Sequence, residues 1–170
     1  MASGTDVESA SRPRATVQRI SDLETLVTRM VNAPPRLVFD AWTRPELFRQ
    51  WWIPRSMGMT LHSCEMDVRT GGSYRLVIGH PAAPEPMAFF GTYVEVTPPS
   101  RLVWTNDENG APGSVTTVTF EERNGGTWVE VRERHASKEA LDAAGTGAAE
   151  AMVETFAQLD ELLAAAQDRR

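Results

Sequence analysis

Cysteine is almost absent: Cys64 is the only one in 170 residues. That excludes an intramolecular disulfide and any cysteine-built zinc cage, and it suits a reducing compartment. Basic residues are scarce too. The chain holds 17 Lys and Arg against 23 Asp and Glu, a net charge of -6. A nucleic-acid footprint needs a clustered basic surface to displace counterions, so no nucleic acid is expected as a partner. An anionic membrane surface is disfavoured for the same reason. No apolar run is long enough for a membrane span. Met1 to Thr16 is small, polar and charged, without the apolar stretch of a secretory signal. A cytoplasmic protein is expected, with residues 1–22 a flexible tail and residues 23–167 a single domain. Internal repeats and low-complexity linkers are missing. So are a serine nucleophile elbow, a phosphate-binding glycine loop and an HExxH pair, and no cofactor is implied.

What is present is an ordinary globular balance, 41% hydrophobic and 24% charged, enough for a substantial core. Glu24 to Asn32 reads as a strand that Ala33-Pro34-Pro35 stops. Proline has no N–H for a ladder but suits the first turn of a helix. Leu37, Val38, Ala41 and Trp42 then recur at helical spacing. Thr43-Arg44-Pro45-Glu46 has the form of a capping box and opens a second short helix, which carries Leu47, Phe48, Trp51 and Trp52 and ends at Pro54.

From Met59 to His135, short β-rich runs alternate with turn signals, the mark of an antiparallel sheet. Strands are expected near 59–68, 72–79, 87–96, 101–106, 114–122 and 127–135. Gly71-Gly72, Asn109-Gly110 and Asn124-Gly125-Gly126 supply hairpin turns, and Pro98-Pro99 a corner. Ser137 can cap the helical stretch after the last strand. From Ala148 a clean amphipathic helix places Met152, Phe156, Leu159, Leu162 and Leu163 on one face. Gly145 and Gly147 precede it and would let its start hinge. The order is strand, two short helices, six strands, one long helix: an α+β domain in which the last helix covers the apolar face of a seven-stranded curved antiparallel sheet.

Four segments, in order, resemble the SRPBCC, or START/Bet v 1-like, superfamily, and within it the activator of Hsp90 ATPase homologue 1-like family. They are Ala33 to Glu46 leading into Trp51-Trp52-Ile53-Pro54, Asp67 to Tyr74, Gly91 to Thr105, and Gly125-Gly126-Thr127 followed by the terminal helix. The resemblance implies a helix-grip fold from about Leu26 to Ala165, enclosing an apolar cavity. It implies no single activity, because one fold hosts many functions. The Hsp90 activators themselves resemble this chain only in their C-terminal part, so co-chaperone function is not implied. Ile53 stands where relatives often have glycine, and Met152 where many carry a large aromatic, so no particular ligand is implied either.

Trp51, Trp52, Tyr74, Phe90, Trp104, Met152 and Phe156 are the candidate ligand-binding residues of that cavity. Each is equally readable as core, since aromatic residues bury large areas. Alternation places Phe90, Thr92 and Val94 on one face of their strand, and Leu102 and Trp104 on one face of theirs. Glu65, Asp67, Glu95, Arg75, Arg101 and Arg132 lie on expected strands. Facing the cavity, one of them would serve as a general base or an anion clamp; facing out, it would form ordinary cross-strand ion pairs. His62 and Cys64, two apart, share a strand face, but nothing makes them converge with His80 or His135, and no metal is expected. Asn106 to Gly110 superficially resembles a calcium loop, but Thr105 and Thr116 would occupy its end positions, so it reads as a hairpin turn.

No catalytic residue can be named. Three functions remain open: binding of a small apolar molecule, a cyclase- or aromatase-type enzyme, and a chaperone-linked or other protein-interaction module. An acidic surface and an exposed sheet edge permit a homodimer without requiring one.

Overall fold

Two prolines decide where the early chain turns from strand to helix. The computed structural model describes residues 15–108, 110 and 113–168. Within them come β1 (Thr16–Arg19), β2 (Glu24–Val31), α1 (Pro35–Thr43), α2 (Pro45–Phe48) and a 3-10 turn (Arg55–Met57). Pro35 and Pro45 each stand in the first turn of their helix, where a missing N–H costs nothing. β3 (Thr60–Met66), β4 (Ser73–Gly79), β5 (Met87–Thr97), β6 (Arg101–Asn106), β7 (Ser114–Arg123) and β8 (Gly126–Arg134) come next. α3 (Lys138–Ala144) and α4 (Gly147–Asp168) end the described chain.

The strands form one antiparallel sheet in the order β1-β2-β8-β7-β6-β5-β4-β3. That is eight strands where the sequence led us to expect seven. The additional one is β1, whose Thr16–Arg19 pairs with Thr25–Thr28 of β2. It lies in the stretch expected as a tail. Four residues reading Thr-Val-Gln-Arg offer too little alternation to betray a strand. Residues 1–14 of that stretch, and Asn109 of the expected Asn109-Gly110 turn, lie outside the described residues.

Asn124 and Gly125 join β7 to β8 in a two-residue turn, with φ of 54° and 81°. Positive φ at both positions matches the strand twist, and Asn-Gly tolerates it at least cost. Ser137 caps α3 as expected, its Oγ accepting the Ala140 N–H at 3.1 Å. The capping box at Thr43 does not form. Its hydroxyl instead donates back to the Phe39 carbonyl at 2.9 Å, and Arg44 stands at the head of α2 without a side-chain cap.

α4, 22 residues and about 33 Å long, lies across the inner face of the sheet. Two polar devices hold it there. Arg29, buried on the inner face of β2, meets Asp160 through two contacts, Nη1 to Oδ1 at 2.9 Å and Nη2 to Oδ2 at 2.7 Å. Its guanidinium also lies 5.8 Å from the Phe156 ring centroid. Buried Gln158 ties the chain after α2 to the helix. Its Nε2 donates to the carbonyls of Trp51 at 3.0 Å and Ile53 at 2.8 Å, and its Oε1 accepts the Arg55 N–H at 2.9 Å. Arg55 adds an exposed ion pair to Glu161 at 2.7 Å.

Candidate functional site

The aromatic residues near α1 and α2 pack solidly. Trp42 lies with its ring centroid 4.8 Å from Trp51, 5.9 Å from Phe120 and 6.3 Å from Phe156. Trp51 is fully buried, and its indole N–H donates to the Ala41 carbonyl at 2.9 Å. Phe39 meets Phe120 edge-on at 5.5 Å. This cluster closes one end of the space between sheet and helix.

Beyond it the space stays open. A cavity of about 360 Å³ lies between the first half of α4, the segment after α2 and the inner face of the sheet. Its room has a clear origin in the sequence. α4 presents Ala148, Ala149 and Ala151 there, three side chains too short to reach the strands, with Met152 and Thr155 beyond them. The walls are largely apolar: Trp52, Ile53, Met59, Leu76, Phe89 and Val131 are among them. Trp52 is fixed by stacking on Phe48, with centroids 4.7 Å apart.

One pole of the cavity is polar. Asn106 ends β6, and its Oδ1 accepts from the Tyr74 hydroxyl at 3.1 Å and the Trp104 indole N–H at 3.2 Å. Its Nδ2 donates to Thr116 Oγ1 at 2.9 Å and Ser114 Oγ at 3.1 Å. The Ser114 hydroxyl donates to Glu133 at 2.7 Å, and His135 Nε2 lies 3.5 Å from the same carboxylate. The register explains the convergence: Trp104 pairs with Thr116, Asn106 with Ser114, Thr116 with Glu133, and Glu133 with Thr25. Tyr74, Asn106, Glu108, Thr116, Glu133 and Thr25 all line the cavity. Burial, and then the Glu108 carboxylate, hold the Tyr74 phenol well above its ordinary pKa. Burial does the same to Tyr93. Both phenols therefore stay neutral, and the Tyr74 proton is shared between Asn106 Oδ1 and the Thr105 carbonyl, the latter at 2.9 Å.

Of the seven residues singled out in the sequence, Trp52, Tyr74, Trp104 and Met152 line the cavity. Trp51 and Phe156, each 0% exposed, sit behind its wall in the packed cluster. Phe90 is on the other face of the sheet, 41% exposed, as is Val94 at 52%. Phe89 takes the inward position instead. The charged strand residues Glu65, Asp67, Glu95, Arg75, Arg101 and Arg132 all lie outside the lining. Glu95 pairs with Arg101 at 3.2 Å, and Arg132 with Glu24 at 3.5 Å. The carboxylates that do reach the cavity are Glu108 and Glu133, which sequence reasoning missed. A parity signal existed: Glu133 is two residues beyond Val131, and Asn106 two beyond Trp104.

His62 and Cys64 do not share a face. A bulge between Leu61 and Ser63 shifts the register, so Leu61, Cys64 and Met66 pack inward while His62 is exposed. Among the described residues, no group of three His, Cys, Asp or Glu converges to hold a metal ion. None of their helices is long and apolar enough to cross a membrane.

The family model described as Activator of Hsp90 ATPase homolog 1-like protein matches residues 32–164. A Rhodobacter sphaeroides protein of known crystal structure is 27% identical, with a TM-score of 0.78 over 89% of this chain and 98% of that one. A Mycobacterium smegmatis protein is 26% identical, with a TM-score of 0.75 over 89% of this chain and 99% of that one. An AHSA1-like protein from Aeromonas hydrophila shares the fold at 21% identity, with a TM-score of 0.68 over 85% of this chain and 94% of that one. No curated protein matches the chain significantly.

Proposed function

The chain belongs to the Activator of Hsp90 ATPase homolog 1-like family, and from that premise we propose that it binds a small hydrophobic molecule in the cavity between sheet and α4. One observation carries this reading: a cavity of about 360 Å³ with apolar walls and a single polar pole. Protein interiors are otherwise packed to crystal density, and a void that size costs stability. Small-molecule pockets run from about 300 Å³ upwards and pair apolar walls with a few polar anchors.

A thermal-shift screen tests it, using fatty acids, sterols, flavonoids, polyketide intermediates and aromatic acids and amines. A ligand that binds only the folded state raises the melting temperature in a dose-dependent way. The rise should vanish in Ala149→Trp, which fills the cavity from α4. A flat panel, with Ala149→Trp simply more stable, would mean the space is a packing defect.

The polar pole also favours a second reading, a cyclase- or aromatase-type enzyme. Glu133, which lines the cavity and keeps lone pairs beyond the Ser114 bond, would serve as the general base, and Tyr74, whose proton is held by the Thr105 carbonyl and Asn106, would offer its oxygen as an acceptor. Turnover of a bound ligand, lost in Glu133→Gln while binding persists, would establish it. A protein-interaction role would use exposed apolar residues such as Phe90 and Val94 on the outer face of β5 or Val153 on α4, because Trp51 is buried and Trp52 lines the cavity.

A further inference from the structure

The cavity's charge is one-sided. Among the described residues, its lining contains two carboxylates, Glu108 and Glu133, and no Lys, Arg or His. Nothing in that lining can neutralise an anionic head group, and a buried carboxylate without a partner is costly. Glu133 already accepts from Ser114, and His135 lies beside it, yet a carboxylate has about four lone-pair sites and these contacts leave some unused. Glu108 adds the second negative charge to the lining. Its Oε2 is shut off from solvent and has no hydrogen-bond partner among the described residues. An oxygen closed off from water is closed off from an ammonium too, so Glu108 acts on the cavity through its charge, while Glu133 supplies the acceptor lone pairs.

Two features act in the opposite direction and are too weak to reverse the sign. The first turn of α4 borders the cavity, and a helix N-terminus carries roughly half a positive charge. Glu150 sits in that turn and offsets it. His135 is charged only when protonated, and it touches Glu133 rather than the cavity itself. A metal ion is a poor alternative occupant, since the described residues bring no third His, Cys, Asp or Glu to the two carboxylates.

We propose that the ligand is an apolar amine, its protonated amino head seated at the Glu133 carboxylate in the field of Glu108 and its body between Trp52 and Met152. The proposal rests on the reading of the cavity as a ligand site and adds the head group. An ammonium brings three donors to a pole whose carboxylates only accept, and charge-assisted bonds of this kind are the strong ones. The same pole rejects fatty and aromatic acids, which would place a third negative charge there. Tyr74 reports that field: Glu108, Asp107 and Glu133 each add to its raised pKa.

The test is calorimetry at neutral pH with four probes sharing one body: 2-(2-naphthyl)ethylamine, 2-(2-naphthyl)ethanol, 2-naphthylacetate and 2-ethylnaphthalene. The amine should bind about tenfold or more tighter than the acetate. Glu108→Gln and Glu133→Gln should each erode that preference while leaving the alcohol's affinity nearly unchanged. Two variants guard against one failing to fold. Ala149→Trp should abolish amine binding, and binding that survives it is surface attraction to an acidic protein, which overturns the proposal. Acetate or alcohol binding as tightly as the amine also overturns it but leaves the cavity reading standing. If 2-ethylnaphthalene and the other three all fail to bind, the cavity reading falls as well.

Discussion

The two ends of the sheet's inner face are built from the same strands and behave oppositely. Along β7, Val118 and Phe120 point into the packed cluster, while Ser114 and Thr116, on the same face, supply the polar pole. β8 gives Val129 to the first end and Glu133 to the second, and β6 gives Leu102 and Asn106. α4 is divided in the same way, with Phe156 and Leu159 sealing the packed end and alanines roofing the open one. Period-2 alternation keeps one face inward throughout, so chemistry changes along the strand axis rather than across the sheet. Stability therefore resides at one end, which leaves the other free to stay hollow and charged.

The largest expected effect is at the packed end. Phe156→Ala removes a fully buried ring that touches Trp42, Trp51 and the Arg29 guanidinium. Urea unfolding should show a loss of about 3–5 kcal/mol, the usual cost of such a truncation. A loss below about 1 kcal/mol would mean the cluster is not the structural anchor we describe. Arg29→Ala comes next, at about 3 kcal/mol, because it leaves the Asp160 carboxylate at the sheet–helix junction without its bidentate partner. Arg29→Met should be milder only by the cavity it avoids, since it leaves Asp160 without its partner just as alanine does.

Gln158→Ala probes the boundary between the two ends. It orphans two carbonyls and one N–H of the segment after α2, with an expected cost of about 2 kcal/mol. Hydrogen exchange should speed up at the Arg55 amide and leave the β7–β8 ladder protected. Uniformly faster exchange would make Gln158 part of the global core instead. Glu133→Gln, at the open end, should change stability by less than about 1 kcal/mol, because an amide keeps the Ser114 hydrogen bond. A larger loss would show that the polar pole also holds the fold.

The sequence made the architecture legible wherever a residue's chemistry forces a backbone geometry. Pro35 and Pro45 start helices, Asn124-Gly125 turns a hairpin and Ser137 caps α3. It was weaker where only strand parity decides. Phe89 and Phe90 are adjacent and equally apolar, so composition cannot say which points inward; the pairing of Tyr74 with Gly91 and of Leu76 with Phe89 does. Gly91 held a clue. A Cβ there would collide with the Thr105 carbonyl, so the Phe89-Gly91-Tyr93 row is the crowded, inward one. The bulge at His62 was invisible for the same reason, since an extra residue leaves no mark on a short run. Buried polar groups were hardest. Arg29, Gln158 and Glu133 look like surface residues until their partners, more than 100 residues away for the first two, are in place.

The smallest expected effect lies where α4 meets the 3-10 turn after α2 and concerns acid. Glu154 of α4 accepts the Ser56 hydroxyl and the Ser56 N–H, the latter at 2.9 Å. The hydroxyl contact first, then the backbone one, hold its carboxyl below the ordinary carboxylate range, although it remains open to solvent. A depressed folded pKa means the unfolded chain binds the proton first. The stabilisation is therefore complete above the ordinary carboxylate pKa and is lost as pH falls through the lower folded value. Glu154→Gln should melt slightly below the parent protein at neutral pH, and the gap should close in acid, where the parent has lost its carboxylate too. A gap that stayed constant down through the carboxylate range would show that charge at Glu154 is irrelevant. Gln158 and the Arg55–Glu161 ion pair would then hold the segment after α2 against α4.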